Sequence, residues 1–281
     1  MPCIATHRTR RSLAVEFFRR VRDRITESLI EQPGEPLVRM EEKFETGRVF
    51  LLSPANVAGK RAKMLLNPKA SFELARRLRT GDGVPLGEAF AFMSGLYFRG
   101  KLAYARAFAQ APDGCAGVLI ITTNRGLISA DALVTSDELQ AYSDVPIDAR
   151  DERYTKPLIR DAVLLAASCA IDCSIVLLGS VASGKYVDHL LPVFGKRLHF
   201  PKEFVGRGDM SRGGILLRSV TANRMLTHIP VAGTVRRGSR QPKLTPLSPK
   251  PKIRGKPKIS QMTEIKELGI IRRKKAAGTK M

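Results

Sequence analysis

One local pattern occurs three times along the chain. Each copy is a short apolar run followed by a loop of small residues with a basic side chain, and then by a helical segment or a turn. The apolar runs are residues 48–52, 117–123 and 174–178. Uninterrupted apolar runs of this length, bounded by turn residues, are typical of buried strands. We therefore predict an α/β fold, as a three-layer, Rossmann-like domain with a mostly parallel sheet.

The repeated pattern lies in the middle of the chain, and a different kind of sequence flanks it on each side. Residues 36–232 form the predicted α/β domain. Residues 1–35 carry apolar side chains at steps of four from Leu13 to Leu29. This spacing predicts an amphipathic helix, which either packs on the domain or contacts nucleic acid. Residues 233–281 interleave prolines with lysines, and that composition predicts a disordered basic tail.

Most of the positive charge is concentrated in the predicted tail. The chain carries +22, and residues 235–281 hold fifteen Lys and Arg against two acids, which leaves +9 for residues 1–234. Such an excess favours attraction to polyanions such as nucleic acid or to an anionic membrane face. No apolar run reaches the length of a membrane span, and the four cysteines lack the spacing of a metal site. We expect a cytoplasmic protein with reduced thiols, no metal and no membrane contact.

The loops after the predicted strands hold the candidate binding residues. In open α/β sheets, ligands bind in a crevice at the carboxyl ends of the strands. The repeated pattern therefore predicts that these loops converge. The residues expected to contact an anionic ligand are Ser53, Asn56, Lys60, Asn124, Arg125, Gly179, Ser180, Lys185, Arg207 and Arg212.

A glycine-rich segment supplies the candidate for proton transfer. Residues 206–214 contain four glycines, two arginines and one acid, directly before the apolar residues 215–218. Arginine guanidinium groups bind phosphate or carboxylate in a bidentate manner. Asp209 can accept a hydrogen bond from a base or a sugar, or act in acid/base chemistry. The alternatives are a tight turn before a strand at 215–218, or an internal ion-pair cluster that fastens a loop.

The third loop also matches the spacing of a phosphate-binding loop. Residues 179–185 fit G-x-x-x-x-G-K between a predicted strand and a predicted helix. The next residue is Tyr186, where a P-loop supplies a short hydroxyl to magnesium, and no later strand ends in an acid. Three interpretations stay open: a nucleotide triphosphatase, an anion-binding loop of another origin, and ordinary helix capping.

Three short motifs resemble known families. They are Ser53-Pro54-Ala55 after the first strand, Leu96-Tyr97 in a helical segment, and Gly126-Leu127 after the second strand. On these motifs, residues 48–218 resemble a family of uncharacterised bacterial α/β proteins. They are more distantly similar to the peroxide-stress-resistance proteins of the YaaA type and to the α/β domain that accompanies archaeosine synthase. The distant relatives imply contact with DNA or a modified base.

Together these features predict a protein that binds a nucleotide, a nucleobase or nucleic acid in a crevice of strand-end loops. One alternative is a non-enzymatic protein that binds nucleic acid through its basic tail, because release of counterions supplies the affinity. A second is the P-loop-like triphosphatase. The sequence defines neither a cofactor nor an oligomeric state.

Overall fold

The structure is a computed structural model that describes residues 47–242, 244 and 245. The predicted N-terminal amphipathic helix therefore lies outside the described residues, and so does the predicted tail at position 243 and from residue 246 onwards. The described part of that tail, residues 233–242, 244 and 245, contains no helix or strand.

Helices and strands alternate along most of the described chain. The strands are β1 (Arg48–Leu52), β2 (Val84–Pro85), β3 (Val118–Ile121), β4 (Leu127–Ser129), β5 (Leu133–Val134), β6 (Ser174–Leu178), β7 (Leu198–Pro201) and β8 (His228–Pro230). The helices are α1 (Lys60–Leu65), α2 (Glu73–Arg79), α3 (Leu86–Ser94), α4 (Leu96–Phe108), α5 (Ser136–Ala141), α6 (Glu152–Ser168), α7 (Gly184–Phe194) and α8 (Asp209–Thr221).

A six-stranded sheet with the order β4-β3-β1-β6-β7-β8 forms the centre of the molecule. Its four inner strands are parallel to their neighbours, and the edge strands β4 and β8 are antiparallel. The predicted mixed α/β fold with a mostly parallel sheet is confirmed. Strands β2 and β5 form a separate two-stranded antiparallel sheet.

The middle of the sheet is buried on both faces. Every residue from Val49 to Leu52 in β1 and from Ile175 to Leu178 in β6 is fully buried. Continuous burial of successive residues requires cover on both sides, because neighbouring side chains of a strand point to opposite faces. Two groups of helices pack among themselves: α4 with α3 and α8, and α6 with α7.

The strand order reverses at β1. The chain passes from β1 to β3 on one side, and then crosses by way of α6 to β6 on the other side. Such a reversal leaves a gap between the connections at the carboxyl ends of the two central strands, where open α/β sheets bind ligands. Here those ends are the residues that follow Leu52 and Leu178.

The three predicted strands are present as β1, β3 and β6, and they are neighbours in the sheet. The prediction of a strand at residues 215–218 is wrong, because these residues lie inside the helix α8. Gly213 and Gly214 have low helix propensity, so the sequence did not indicate a helix at these positions. The packing explains them: a Cβ at Gly213 would lie 2.9 Å from the Cα of Tyr97, so only glycine lets α8 approach α4 this closely.

Candidate functional site

The carboxyl ends of β1 and β6 meet at Ser53. Its backbone N–H donates to the carbonyl of Leu178 at 3.1 Å, which joins the first residue after β1 to the last residue of β6. Gly179 follows, and a Cβ there would lie 3.0 Å from the Cβ of Ser53. The absence of a side chain at Gly179 therefore leaves the space that the Ser53 side chain uses. Ser53 is 7% exposed.

A buried lysine points at this junction. Lys101, in the middle of α4, is only 1% exposed. Its Nζ lies 2.5 Å from the backbone carbonyl oxygen of Ser53 and 2.8 Å from the Ser53 Oγ. The rings of Tyr97 and Phe98 lie beside it, with centroids 4.6 and 4.7 Å from Nζ. Aromatic faces attract a cation, but they replace little of the hydration that burial removes.

Burial lowers the pKa of Lys101 to about 7. The carboxylate of Asp209 opposes this shift, whereas the positive charges of Lys185 and Arg212 add to it. A large part of the population therefore carries a neutral amine at neutral pH. The same interactions show that side chains from α4, α7 and α8 lie within electrostatic range of one another at the end of β1.

Two tyrosines line the same place. Burial raises the pKa of Tyr97 to about 12, with the charge of Asp209 adding to the rise and the nearby Arg212 guanidinium opposing it. The Tyr97 hydroxyl is buried and has no hydrogen-bond partner among the described residues. Tyr186 is 3% exposed, and burial raises its pKa, while the nearby Ser53 hydroxyl opposes the rise.

Two charges of the glycine-rich segment enter the site from the first turn of α8. The Arg212 side chain is 12% exposed, and its Nη1 lies 3.7 Å from the Oδ1 of Asp209, whose side chain is 70% exposed. Arg212 also donates to the carbonyl of Phe204 at 3.2 Å, and its guanidinium lies 5.2 Å from the Phe204 ring centroid. Its Nε is buried with no partner among the described residues.

The loop after β6 brings Lys185 to the start of α7. The Nζ of Lys185 lies 5.1 Å from the ring centroid of Tyr186, and its backbone carbonyl accepts from the Tyr154 hydroxyl at 2.8 Å. Ser183 donates to Ser180 within the loop at 3.3 Å. Tyr186 occupies the sequence position at which a P-loop has the serine or threonine that binds magnesium. Its phenol is buried near Ser53.

A cavity of about 680 Å³ adjoins the site. Residues 206–211 line one side of it, and Arg240, Gln241 and Leu244 line the other. Asp209 belongs both to this lining and to the group of charges around Lys101. The cavity therefore reaches the outer edge of the cluster.

Other predicted site residues make contacts of a structural kind. Asn124 donates to the carbonyl of Ala141 at 3.0 Å, and Arg125 forms an ion pair with Glu138, so both fasten the loop after β3 to α5. Asn56 accepts from the backbone N–H of Ala58 at 2.9 Å in a local turn.

The two remaining predicted residues are Lys60, on the surface, and Arg207, in the lining of the cavity. Lys60 is exposed at the start of α1. Arg207 donates to the carbonyl of Pro242 at 3.1 Å, and the N–H of Gln241 bonds the carbonyl of Gly206. Of the predicted residues, the structure gathers Ser53, Gly179, Ser180, Lys185, Asp209 and Arg212 at the ends of β1 and β6.

The sequence analysis did not include Tyr97, Lys101 or Tyr186 among the site residues. A signal for Lys101 was present, because Tyr97, Lys101 and Tyr104 lie at i, i+4 and i+7, on one face of a helix. A lysine in the middle of an apolar stripe is almost never fully buried without a partner. Its partner lies 48 positions earlier in the sequence.

No protein-family model matches the chain, and no curated protein or solved structure proved similar to it. Within residues 47–242, 244 and 245, no cluster of His, Cys, Asp and Glu is placed to hold a metal ion. Over the same residues, the model contains no helix with the length and apolar character needed to cross a bilayer.

Proposed function

We propose that the side chains at the carboxyl ends of β1 and β6 bind a nucleotide or the end of a nucleic acid. The single observation that carries this proposal is the convergence of Lys101, Lys185 and Arg212 around buried polar atoms that lack a hydrogen bond of normal geometry within the described residues. The order of strands, with its reversal beside the site, supports a three-layer, Rossmann-like arrangement for the domain.

The unpaired atoms point to a ligand. Leaving a buried donor or acceptor without a partner is unfavourable by about 1–3 kcal/mol, and native proteins leave few such groups. Tyr97 Oη and Arg212 Nε are two of them, and the charge of Arg212 acts on the Tyr97 hydroxyl. A ligand oxygen that reached both atoms would accept a hydrogen bond from each.

The charges favour an anion. Two cationic side chains, Lys185 and Arg212, act on this place against the single carboxylate of Asp209. Arginine binds phosphate through a planar fork, and lysine contributes a compact charge. The backbone N–H groups at the start of α7, beside Lys185, add the positive end of a helix dipole.

The exposed carboxylate of Asp209 and the cavity favour a ligand that carries a base or a sugar in addition to a phosphate. Asp209 is well placed to accept hydrogen bonds from an exocyclic amine or a sugar hydroxyl, because its side chain is 70% exposed. A cavity of about 680 Å³ is large enough for a nucleotide-sized ligand.

The decisive experiment is calorimetry on the full chain with nucleoside mono- and triphosphates, the matching nucleosides and inorganic phosphate. Arg212→Ala and Lys185→Ala are each expected to weaken nucleotide binding about 10- to 100-fold, because each removes a charge-assisted contact. The matched control is Arg218→Ala, since Arg218 lies on the same helix and donates to the carbonyl of Thr245. Equal affinities for all four proteins, or no binding by a folded wild type, contradict the proposal.

The Asp209→Asn variant tests whether Asp209 recognises the base or sugar of a nucleotide. If Asp209 recognises a base or a sugar, this change weakens binding of nucleotides about 10-fold and leaves binding of inorganic phosphate unchanged or tighter. Equal effects on both ligands show that Asp209 acts only through its charge.

A further inference from the structure

Ser53 and Lys101 form a hydrogen-bonded pair that anion binding does not require. Lys101 Nζ lies 2.8 Å from Ser53 Oγ, at the point where the two central strands end. A lysine that served only as a counter-ion for a ligand would extend toward the cavity. Instead its amine is buried against a serine hydroxyl and a backbone carbonyl.

The geometry suits a neutral amine. An amine without its extra proton has two N–H groups and one lone pair. Nζ lies 2.5 Å from the carbonyl oxygen of Ser53 and 2.8 Å from its Oγ. In the neutral form one N–H donates to the carbonyl oxygen, which leaves the lone pair free to accept from the Ser53 hydroxyl. That arrangement allows the hydroxyl to donate its proton to the amine, which is the relation between a nucleophile and its general base.

The burial of the two residues sets their roles. Ser53 is 7% exposed and Lys101 is 1% exposed, so Ser53 is the more accessible residue of the pair. The charges that face Lys101 are Lys185 from α7 and Asp209 and Arg212 from α8, with Tyr97 on its own helix. Two of those three charges are positive and disfavour protonation of the amine.

We propose that Ser53 and Lys101 are a nucleophile and its general base, and that they hydrolyse an acyl compound that carries a phosphate or carboxylate group. This proposal rests on the proposed function only for the anionic group, which Lys185 and Arg212 hold. Serine with lysine as its base is an established solution for acyl transfer on unrelated folds.

The reaction balances without a further reagent. Ser53 Oγ attacks the carbonyl carbon while its proton passes to the Lys101 amine. The tetrahedral intermediate then breaks the bond to the leaving group, which takes that proton from Lys101. Water repeats the sequence: it gives a proton to Lys101 and attacks the acyl-serine ester, and Ser53 leaves with the proton. The products are the free acid and the protonated leaving group.

An uncharged alkyl fluorophosphonate tests the reactivity of Ser53 and Lys101 independently of anion binding by Lys185 and Arg212. The probe phosphonylates an activated serine with loss of fluoride, and mass spectrometry of peptides locates the adduct. Full-length wild type is expected to carry the adduct on Ser53. Ser53→Ala and Lys101→Met are expected to reduce the rate of labelling about 100-fold or more.

The matched controls are Ser174→Ala, at the opposite end of β6, and Lys156→Met, an exposed lysine on α6. Both are expected to be labelled as wild type. Failure of folded wild type to label at Ser53, or labelling of Lys101→Met at the wild-type rate, overturns the proposal.

The pH profile of the wild type keeps the test decisive if a variant fails to fold. A neutral Lys101 as base predicts a labelling rate that rises to a plateau above about pH 7. A rate that continues to rise toward pH 10 refutes this role for Lys101. Labelling of Ser53 in wild type, together with absent nucleotide binding by the same protein, supports the pair and rejects the proposed function.

Discussion

Lys101 is the residue whose environment departs most from what its side chain prefers. A lysine is rarely buried to 1% exposure, since its ammonium loses hydration that the protein interior replaces only in part. Here two Ser53 oxygens and two aromatic rings surround the amine. The lowered pKa is the expected response, because the neutral form tolerates burial better than the charged form does.

The lowered pKa of Lys101 predicts that the free energy of unfolding rises with pH above neutrality. In the folded protein the amine loses its proton near pH 7, whereas in the unfolded chain it does so near its ordinary value of 10.5. Between these values only the unfolded chain binds the proton, so the free energy of unfolding rises with pH. From pH 7 to 9.5 the rise is at most about 3 kcal/mol.

Urea unfolding at pH 7, 8 and 9.5 measures the effect. Lys101→Met is expected to lose the rise, because methionine fills a similar volume and does not titrate. Lys156→Met is expected to keep it. If wild type and Lys101→Met change in parallel over this range, the amine has an ordinary pKa in the folded protein.

The individual residues of the site differ in how visible they are in the sequence. Lys185, Asp209 and Arg212 follow recognisable strand or glycine signals, and these signals mark loops where polar side chains meet ligands. Tyr97 and Lys101 lie in a helix, where aromatic residues at helical spacing usually belong to the core. Their role depends on Ser53, which is distant in sequence, so no local pattern reveals it.

At the scale of elements, the contact of α4 with α8 positions the charges of the site. Tyr97 and Lys101 come from α4, and Asp209 and Arg212 come from α8. The two helices cross at a pair of glycines: a Cβ at Gly100 would lie 2.8 Å from the carbonyl oxygen of Gly213. Backbone therefore touches backbone, and the side chains of both helices are brought to one end of β1.

Gly213→Ala is expected to disturb this crossing. The new methyl group would lie 2.9 Å from the Cα of Tyr97 and 3.0 Å from the carbonyl of Leu96, and neither backbone atom can rotate away. We expect a loss of about 1–3 kcal/mol in the free energy of unfolding, together with weaker nucleotide binding.

Gly214→Ala is the matched control for this crossing. Its methyl group would meet only the end of the Leu244 side chain, and alanine favours a helix by about 1 kcal/mol over glycine. Thermal unfolding of both variants decides the point. Equal stability of Gly213→Ala and Gly214→Ala shows that the helices do not approach at Gly213.

At the scale of the whole molecule, the described part of the basic segment contacts the domain. Arg237 donates to the carbonyl of Ala182 at 3.1 Å in the loop after β6, and Gln241 and Pro242 contact Gly206 and Arg207. A truncation that separates the domain from the basic tail should therefore end after Thr245. Ending at Ala232 would also remove these contacts.

Removal of residues 246–281 is expected to separate two kinds of binding. This segment carries eleven Lys and Arg and two acids, a net charge of +9, and the remaining chain keeps +13. Binding of DNA or RNA should lose affinity and most of its salt dependence, because fewer counterions are released. Binding of a mononucleotide should be unchanged, since none of the site residues is removed.

Filter binding over a range of salt concentrations, with calorimetry for the nucleotide, measures both effects. Loss of nucleotide binding in the folded, truncated protein would favour the tail as the source of affinity. An unchanged salt dependence for nucleic acid would place its contacts on the rest of the chain.

The sequence by itself determined the class of fold and the position of the inner strands. The side chains of continuous apolar runs such as 48–52 and 174–178 are buried only when layers of structure cover both faces of the sheet. These runs therefore predict a parallel α/β sheet from local information. The same runs indicated which loops lie at the carboxyl ends, and so identified Ser53 and Lys185, whereas the glycine-rich segment identified Asp209.

Only the tertiary structure decided which of those loops meet. The order of the strands places β1 beside β6, and the crossing at Gly100 and Gly213 brings α4 and α8 to the same edge. Burial then changes the chemistry of Lys101, a property that depends on the surroundings in three dimensions and not on neighbours in the chain. For the same reason Arg125, which the local pattern placed in the site, forms an ion pair with Glu138 instead.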